Sequence, residues 1–202
     1  MSARPFDSAA LVIADKHAAR IAIARGPSGL YLPEAKIAAT AHPSPKMRQI
    51  SDGRLGSSKA KAACFADAAL MAGFEHLGWL IARPTEPSPQ HGSTRSLDRI
   101  RLHGLEPGRG DLVFLGRALS PAHQKRRRHV RVFAAPFAAV SNSVVRPARA
   151  QSVAWLTPAE ASEELDDDLL GPLAARALDA FSARFKPHLV SFRAGRRLVR
   201  AL

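Results

Sequence analysis

Glu75 and His76 are adjacent near the end of an alanine-rich stretch whose pattern predicts a helix. A carboxylate beside an imidazole can ligate a metal ion, although imidazole suits softer ions such as Zn²⁺ or Mn²⁺ better than Mg²⁺. The only other acid in the stretch, Asp67, lies eight residues earlier, which is about 12 Å along a helix. Asp67 and Glu75 therefore cannot share one ion. The alternative is an ordinary exposed acid at Glu75 and a surface histidine at His76, which the helix dipole favours.

The densest charge feature is a basic segment at positions 123–129, in which Arg126, Arg127 and Arg128 follow one another. Clustered guanidinium groups bind phosphate oxygens in pairs and displace counterions, so the functional interpretation is capture of phosphate from a nucleotide or a nucleic acid. The alternative is a solvated loop between two strands. The net charge of +13, from 30 Lys and Arg against 17 Asp and Glu, predicts an anionic partner.

Two further groups of reactive side chains have structural explanations. The acidic run at 163–168 precedes a predicted helix, where negative charge complements the helix dipole. The single cysteine, Cys64, stands among alanines and is expected to pack as a small apolar residue. One cysteine allows neither an internal disulfide nor a cysteine-based zinc cluster, which fits a reducing compartment. The sequence contains no P-loop, no G-x-G-x-x-G, no H-E-x-x-H and no nucleophile elbow.

The pattern of apolar residues predicts the elements that position these groups. The runs 9–14 and 20–25 indicate a hairpin. The run 30–32 meets Pro33 and continues through 36–38, which indicates a strand or the edge of a turn. A helix is predicted from Ser57 or Ser58 to Leu77, closed by Gly78 in the left-handed conformation. Further predicted elements are strands at 79–82, 111–119, 129–140 and 152–156, a loop at 83–92, a helix starting at Thr157-Pro158, a second helix at 169–185 and a β-like tail at 187–202.

Length and composition predict one α+β domain over residues 1–202, with a surface insertion at about 39–57 rich in Pro, Ser and Gly. With 46% apolar and 23% charged residues the chain can bury an ordinary core. No signal-peptide pattern is present, and no run reaches the roughly 18 apolar residues of a membrane span. A cytoplasmic protein without membrane contact is therefore expected, and the oligomeric state is left open.

The order of these elements resembles the Nudix hydrolase superfamily over nearly the whole chain. The likeness is greatest to a bacterial subgroup with an insertion between its Pro-Gly-Gly turn and its metal-binding helix. The segment from Leu30 to Ala35 is similar to the strand and turn, and Met71 to Trp79 to the helix signature Arg-Glu-apolar-x-Glu-Glu-x-Gly-apolar. Three later segments are also similar to the family: Ala118–Pro121 with the arginines at 126–128, Ala154–Ala161 with its Trp-Leu helix start, and Val190–Arg193 in the tail.

The resemblance implies water attack on a nucleoside diphosphate derivative, with helix carboxylates holding Mg²⁺. Of the helix signature only Glu75 and Gly78 remain, since Ala72 and His76 stand where the family has glutamates and Met71 where it has arginine. The turn keeps Pro33, but Glu34 and Ala35 replace its glycines. Glu34 is a candidate replacement carboxylate, and Glu75 with His76 would be the remnant metal site, with Glu75 the remnant catalytic residue.

The expected fold is a Nudix-like α/β/α sandwich with a mixed sheet. The expected function is that of a Nudix hydrolase homologue that acts on or binds a nucleoside-diphosphate-type substrate, its hydrolysis weak or absent and its Mg²⁺ site degenerate. The alternatives are a non-catalytic module that binds a nucleotide or a nucleic acid, with phosphate contacts from Arg126, Arg127 and Arg128, and a regulatory domain that binds another protein.

Overall fold

The computed structural model describes residues 4–37, 59–86, 104–141, 149–165 and 167–202. Nine strands form one sheet and two form a small hairpin. The strands are β1 Phe6–Asp15, β2 Arg20–Gly26, β3 Gly29–Tyr31, β4 Glu34–Lys36, β5 Ala82–Pro84, β6 Leu105–Pro107, β7 Val113–Leu119, β8 Arg128–Pro136, β9 Ser152–Leu156, β10 His188–Arg193 and β11 Arg196–Ala201. The helices are α1 Lys59–Leu77, α2 Pro158–Glu164 and α3 Gly171–Ala174.

The main sheet is mixed, with the order β11-β10-β7-β8-β1-β2-β3. Strands β1 and β8 run parallel, as do β7 and β10, and the other pairs are antiparallel. Strand β4 pairs with the first half of β1, and β9 pairs with β2. The small hairpin of β5 and β6 is separate.

Strand β1 lies at the centre and is buried on both faces. Ala9, Leu11 and Ile13 belong to the core beneath α1. Ala10, Val12 and Ala14 belong to a second core, beneath α2, α3 and the segment that follows them. The α+β architecture, with a mixed sheet between two helical layers, is therefore as expected.

Helix α1 packs closely on β1 because Gly73 removes a side chain at the contact. A Cβ atom on Gly73 would lie 2.5 Å from Cδ2 of Leu11, closer than carbon atoms approach one another. Phe65 and Leu70 are buried in the core beneath the helix, and Cys64 is buried as expected. Phe74, in contrast, is only half-buried. The prediction of this helix is confirmed from Lys59 onward, while its expected cap and the insertion at 39–57 lie outside the described residues.

The second helical layer differs from the prediction of a continuous helix at 169–185. Helix α3 covers four residues, and Asp179–Phe181 forms a 3₁₀ turn. After α3 the backbone hydrogen bonds join residues three apart, as in a 3₁₀ helix: Arg176 N donates to Leu173 O, and Ala177 N donates to Ala174 O. This tight winding buries Leu173, Ala174 and Ala177 in the second core, which accounts for the broken helix. Helix α2 begins as expected, with a reciprocal capping box between Thr157 and Glu160 and Pro158 in the first turn.

Three smaller predictions also need correction. The strand expected at 79–82 lies later, at Ala82–Pro84, so that the first residues of the expected loop at 83–92 are strand. Strand β8 ends at Pro136, which has no N–H for the ladder, and a 3₁₀ turn at Phe137–Ala139 follows. Glu163 and Glu164 lie at the end of α2, whereas Asp167 precedes α3 as expected and accepts from the N–H groups of Leu169 and Leu170. The hairpin of β1 and β2 and the β-structured tail are confirmed.

Phe65 and Phe74 give a matched pair of truncations on α1. Replacing the fully buried Phe65 by Ala should lower the free energy of unfolding by about 3–5 kcal/mol, because a large cavity remains. Replacing the half-buried Phe74 should cost no more than about 2 kcal/mol, since less apolar surface returns to water. Urea denaturation of both variants measures the difference. Equal losses would contradict this placement of the helix.

Candidate functional site

The C-terminal end of α1 carries the residues that the family signature would use. Gly78 has a φ of +72°, and its N–H donates to the carbonyl of Phe74 at 3.1 Å. This left-handed residue ends the helix as predicted. The end of the helix is thereby fixed relative to the sheet. Of the three positions where the family signature has glutamates, only Glu75 carries a carboxylate, because Ala72 and His76 occupy the other two. Ala72 is fully buried.

Glu75 is held by a cation. Its Oε2 atom lies 3.0 Å from Nη2 of Arg149, which immediately precedes the segment leading into β9. The Arg149 side chain is 57% exposed and that of Glu75 33% exposed. The carboxylate that the signature would offer to a metal ion is therefore already paired with the guanidinium group of a largely exposed side chain.

His76 is bound on both sides. Its Nδ1 lies 3.0 Å from the hydroxyl of Tyr31, and its Nε2 lies 3.4 Å from Nη1 of Arg149. Burial, and next the charge of Arg149, lowers the pKa of His76, while Glu75 opposes the shift. The imidazole is therefore neutral at neutral pH. Nε2 can then accept from Arg149 while Nδ1–H donates to Tyr31, and this places the proton on Nδ1.

Tyr31 reaches His76 because the opposite strand makes room for its ring. A Cβ atom on Gly26 would lie 3.0 Å from Cε1 of Tyr31, so a larger residue there would crowd the ring. The Tyr31 and His76 rings meet edge to face with centroids 5.4 Å apart. Burial raises the pKa of Tyr31, which stays a neutral phenol.

Mg²⁺ does not fit this arrangement. Mg²⁺ binds through one or two carboxylates and fills its octahedron with water and substrate oxygens. Here the one carboxylate, Glu75, is paired with Arg149, and the next position holds a neutral imidazole. In the part of the chain that the structure describes, no three His, Cys, Asp or Glu side chains are grouped so as to hold a metal ion.

An aromatic cluster lies beside this end of α1. Trp79 follows Gly78 directly, and its ring centroid lies 5.5 Å from that of Phe137 and 5.6 Å from that of Trp155. Phe137 and Trp155 meet edge to face at 5.1 Å. Phe137 is 39% exposed, so part of this apolar surface is open to solvent. Trp155 pairs with Ala22, whose side chain faces α1, and therefore projects on the same side as the helix.

Glu34 cannot replace the missing helix carboxylates because it faces the other side of the sheet. It pairs with Ala10, which belongs to the second core. Its carboxylate accepts from Ser8 Oγ at 2.6 Å and from Arg128 Nη1 at 2.7 Å. Pro33, before it, is buried and its carbonyl accepts from Leu11 N at 3.0 Å. The turn thus keeps its proline as a structural residue.

The basic segment at 123–129 is divided by the start of β8. Arg126 is exposed and Arg127 half-buried, and their role in binding phosphate stays a prediction. Arg128 is clamped between two carboxylates: its Nη1 bonds to Glu34 and its Nη2 to Asp167 at 2.8 Å. Asp167 also accepts from the N–H groups of Leu169 and Leu170. Arg128 therefore ties β8 to β4 and to the second helical layer.

His129, the last residue of the basic segment, and Arg131 beyond it lie on the α1 side of the sheet. Arg131 is almost fully buried, forms an ion pair with Asp7, and lies 4.2 Å over the ring of Phe65. Burial, followed by the charge of Arg131, lowers the pKa of His129 to about 4. His129 is thus neutral near pH 7. The sequence shows Arg131 only as one more cation, since its partner, Asp7, is far away along the chain.

Arg128 and Arg126 form a matched pair for testing this division. Arg128→Gln should lower the free energy of unfolding by about 1–3 kcal/mol, because Glu34 and Asp167 lose a charged hydrogen-bond donor. Arg126→Gln should change it by no more than about 0.5 kcal/mol. Chemical denaturation at neutral pH checks both values. If Arg128→Gln leaves the free energy of unfolding unchanged, Arg128 is a solvated loop residue and this assignment is wrong.

Comparison with known proteins gives likeness of structure without close likeness of sequence. No family model matches the chain, and no curated protein matches it. A Nudix hydrolase from Alicyclobacillus acidocaldarius aligns with a TM-score of 0.56 at 16% identity, over 79% of this chain and 82% of that one. A pyrophosphohydrolase from Bacillus subtilis aligns at 0.47 and 12% identity, over 88% and 83%. An Ap4A hydrolase from Caenorhabditis elegans aligns at 0.45 and 14% identity, over 88% and 99%.

No helix in the described ranges is long and apolar enough to span a membrane. The sheet with its two helical layers, the position of α1 and the Alicyclobacillus alignment agree with one another. The chain therefore has a Nudix-like fold.

Proposed function

We propose that this chain binds a nucleotide-type anion, such as a nucleoside diphosphate, at the C-terminal end of α1 and does not hydrolyse it through a metal ion. The observation that carries the proposal is the ion pair between Glu75 and Arg149. It puts a fixed organic cation where the family signature would place carboxylates around a metal ion.

The charges support binding without metal. In a metal-dependent site, carboxylates attract the cation and the cation attracts the phosphates. Here Arg149 supplies that cation itself, and one carboxylate holds it on one side while 57% of the side chain faces solvent. Guanidinium groups bind phosphate oxygens in pairs, so Arg149 can contact a diphosphate. What is missing is polarisation of a water molecule for attack, which needs the metal.

The aromatic cluster supports a nucleoside as the rest of the ligand. Trp79 and Trp155 meet on the α1 side of the sheet, and Phe137 is partly exposed. Base–aromatic stacking contributes about 1–3 kcal/mol per base and tolerates any base. A nucleotide with its phosphates at Arg149 and its base on this cluster would use both features. Two other functions remain as alternatives. One is weak hydrolysis, with metal ligands supplied by other residues of the chain, and the other is binding of another protein.

ADP titration followed by tryptophan fluorescence tests the proposal. ADP should bind with the same Kd in Mg²⁺ and in EDTA, and the protein should release no phosphate or AMP. Arg149→Gln should weaken binding by at least about tenfold, or about 1.4 kcal/mol. The control is Arg25→Gln, which removes an exposed cation from β2 and should have no such effect.

Two outcomes would contradict the proposal. Turnover of ADP or of a dinucleotide that EDTA abolishes would show that metal ligands come from elsewhere in the chain. If no nucleoside diphosphate binds, the result would favour binding of a protein partner.

A double variant with Ala72→Glu and His76→Glu tests the metal site directly. Its Mg²⁺ affinity should stay low, because Glu75 is still paired with Arg149 and position 72 is fully buried.

His76 offers an independent readout of anion binding. Arg149 is the second cause of its lowered pKa, after burial. An anion on Arg149 cancels part of that positive charge and favours the imidazolium, so the pKa of His76 should rise toward 6.5 when ADP binds. A titration of the His76 ring protons by NMR, with and without ADP, measures this rise. A pKa that does not move would place the ligand elsewhere.

A further inference from the structure

The end of the sheet beyond α1 presents arginines on one face. One row of paired residues crosses four strands, from Arg131 on β8 to Arg117 on β7, Leu189 on β10 and Arg200 on β11. Phe65 of α1 covers Arg131, but Arg117 is only half-buried and Arg200 is exposed. In this row of residues the cover therefore decreases from β8 to β7, although Phe114 at the other end of β7 is still buried in the core beneath α1.

The hairpin of β10 and β11 adds two more cations to this face. Arg193 pairs with Arg196 across the two-residue turn Ala194-Gly195, whose φ angles are +47° and +78°. Because residues alternate along a strand, Arg193, Arg196 and Arg200 project to the same side as Leu189. We call the four residues Arg117, Arg193, Arg196 and Arg200 the arginine face.

The charge of the arginine face is not neutralised by nearby carboxylates. Residues 188–202 contain no Asp or Glu, and in the described ranges none of the four arginines has an acidic partner. Arg197, which projects from the opposite side of the hairpin, does form an ion pair with Asp168 at 3.0 Å. The Nε atom of Arg117 is covered from solvent yet has no hydrogen-bond acceptor in the described part of the chain.

We propose that the arginine face binds the phosphate backbone of a duplex nucleic acid. The four cations are spread over the face: Arg196 and Arg200 are about 13 Å apart along β11, and Arg117 and Arg200 about 10 Å apart across the strands. Cations spread over this distance match a row of phosphates better than one nucleotide. Such contacts position a duplex without reading its sequence.

The side chains on the same face favour a duplex over a single strand. No aromatic ring projects beside the four arginines in the described ranges, since Phe192 packs against the second core on the opposite side. Binding of single strands relies on aromatic stacking of exposed bases. Between the arginines lie Ser191 and Leu198, which give no stacking surface. The arginine face contains neither Arg149 nor any of the arginines at 126–128. It meets the segment 123–129 only at His129, whose pKa is lowered first by burial and also by the charge of Arg117.

Fluorescence anisotropy with a labelled duplex DNA of about 20 base pairs and mixed sequence tests the proposal on the full chain. The variant with Gln at positions 193, 196 and 200 should bind at least about tenfold more weakly at low salt. Its slope of log K against log salt should flatten by about 2–3, since each phosphate that is no longer neutralised removes roughly 0.9 from the slope. The matched control removes three exposed cations elsewhere, Lys16, Arg20 and Arg25, and should weaken binding no more than about threefold.

Two further variants make the outcome specific. The variant with Lys at positions 193, 196 and 200 should keep most of the affinity and the salt slope, because backbone binding depends on charge. Arg149→Gln should leave duplex affinity unchanged, which separates this site from the nucleotide site. The proposal is overturned if the arginine-face and control triple variants weaken duplex binding equally. It is also overturned if the face binds vesicles of phosphatidylcholine and phosphatidylglycerol but not the duplex.

Discussion

The burial of β1 on both faces is the constraint on which the other features depend. Residues Ala9 to Ala14 are at most 1% exposed, so each side chain along this strand belongs to one of two separate cores. Every strand that pairs with β1 inherits the same division through its register. Residues close together on one strand can therefore face different cores. Arg128 and Arg131 on β8 are an example, because they face opposite sides of the sheet.

The position of α1 in the fold does not depend on the side chains at its C-terminal end. Gly73 lets α1 rest on Leu11, and Gly78 ends the helix, so these two glycines fix the place of α1 in the Nudix-like fold. Substitutions at the end of α1 change the side chains there without moving the helix. Ala72 fills a buried position, and Glu75 and His76 are paired with Arg149 and Tyr31. A fold of this kind tolerates a change of function without a change of architecture.

Local patterns in the sequence were enough to predict much of the architecture. Alternating runs predicted the first hairpin, and an alanine-rich run closed by glycine predicted α1. The helix predicted at 169–185 is broken because tertiary packing of Leu173, Ala174 and Ala177 outweighs helical periodicity. Composition could not show that Arg128 and Arg131 are bound in opposite layers, since their partners, Glu34, Asp167 and Asp7, are brought to them only by the sheet. The contact between Arg149 and Glu75 could not be predicted for the same reason, because 74 positions separate the two residues.

The central claim is that a guanidinium group, and not a metal ion, supplies the positive charge at the end of α1. Addition of Mn²⁺ to the isotope-labelled protein tests it most directly, because a bound paramagnetic ion broadens the NMR signals of nearby nuclei. The account predicts that the signals of the His76 ring and of the Glu75 and Gly78 amides keep their width at millimolar Mn²⁺. Selective broadening of these signals at lower Mn²⁺ concentrations, reversed by Mg²⁺, would contradict it.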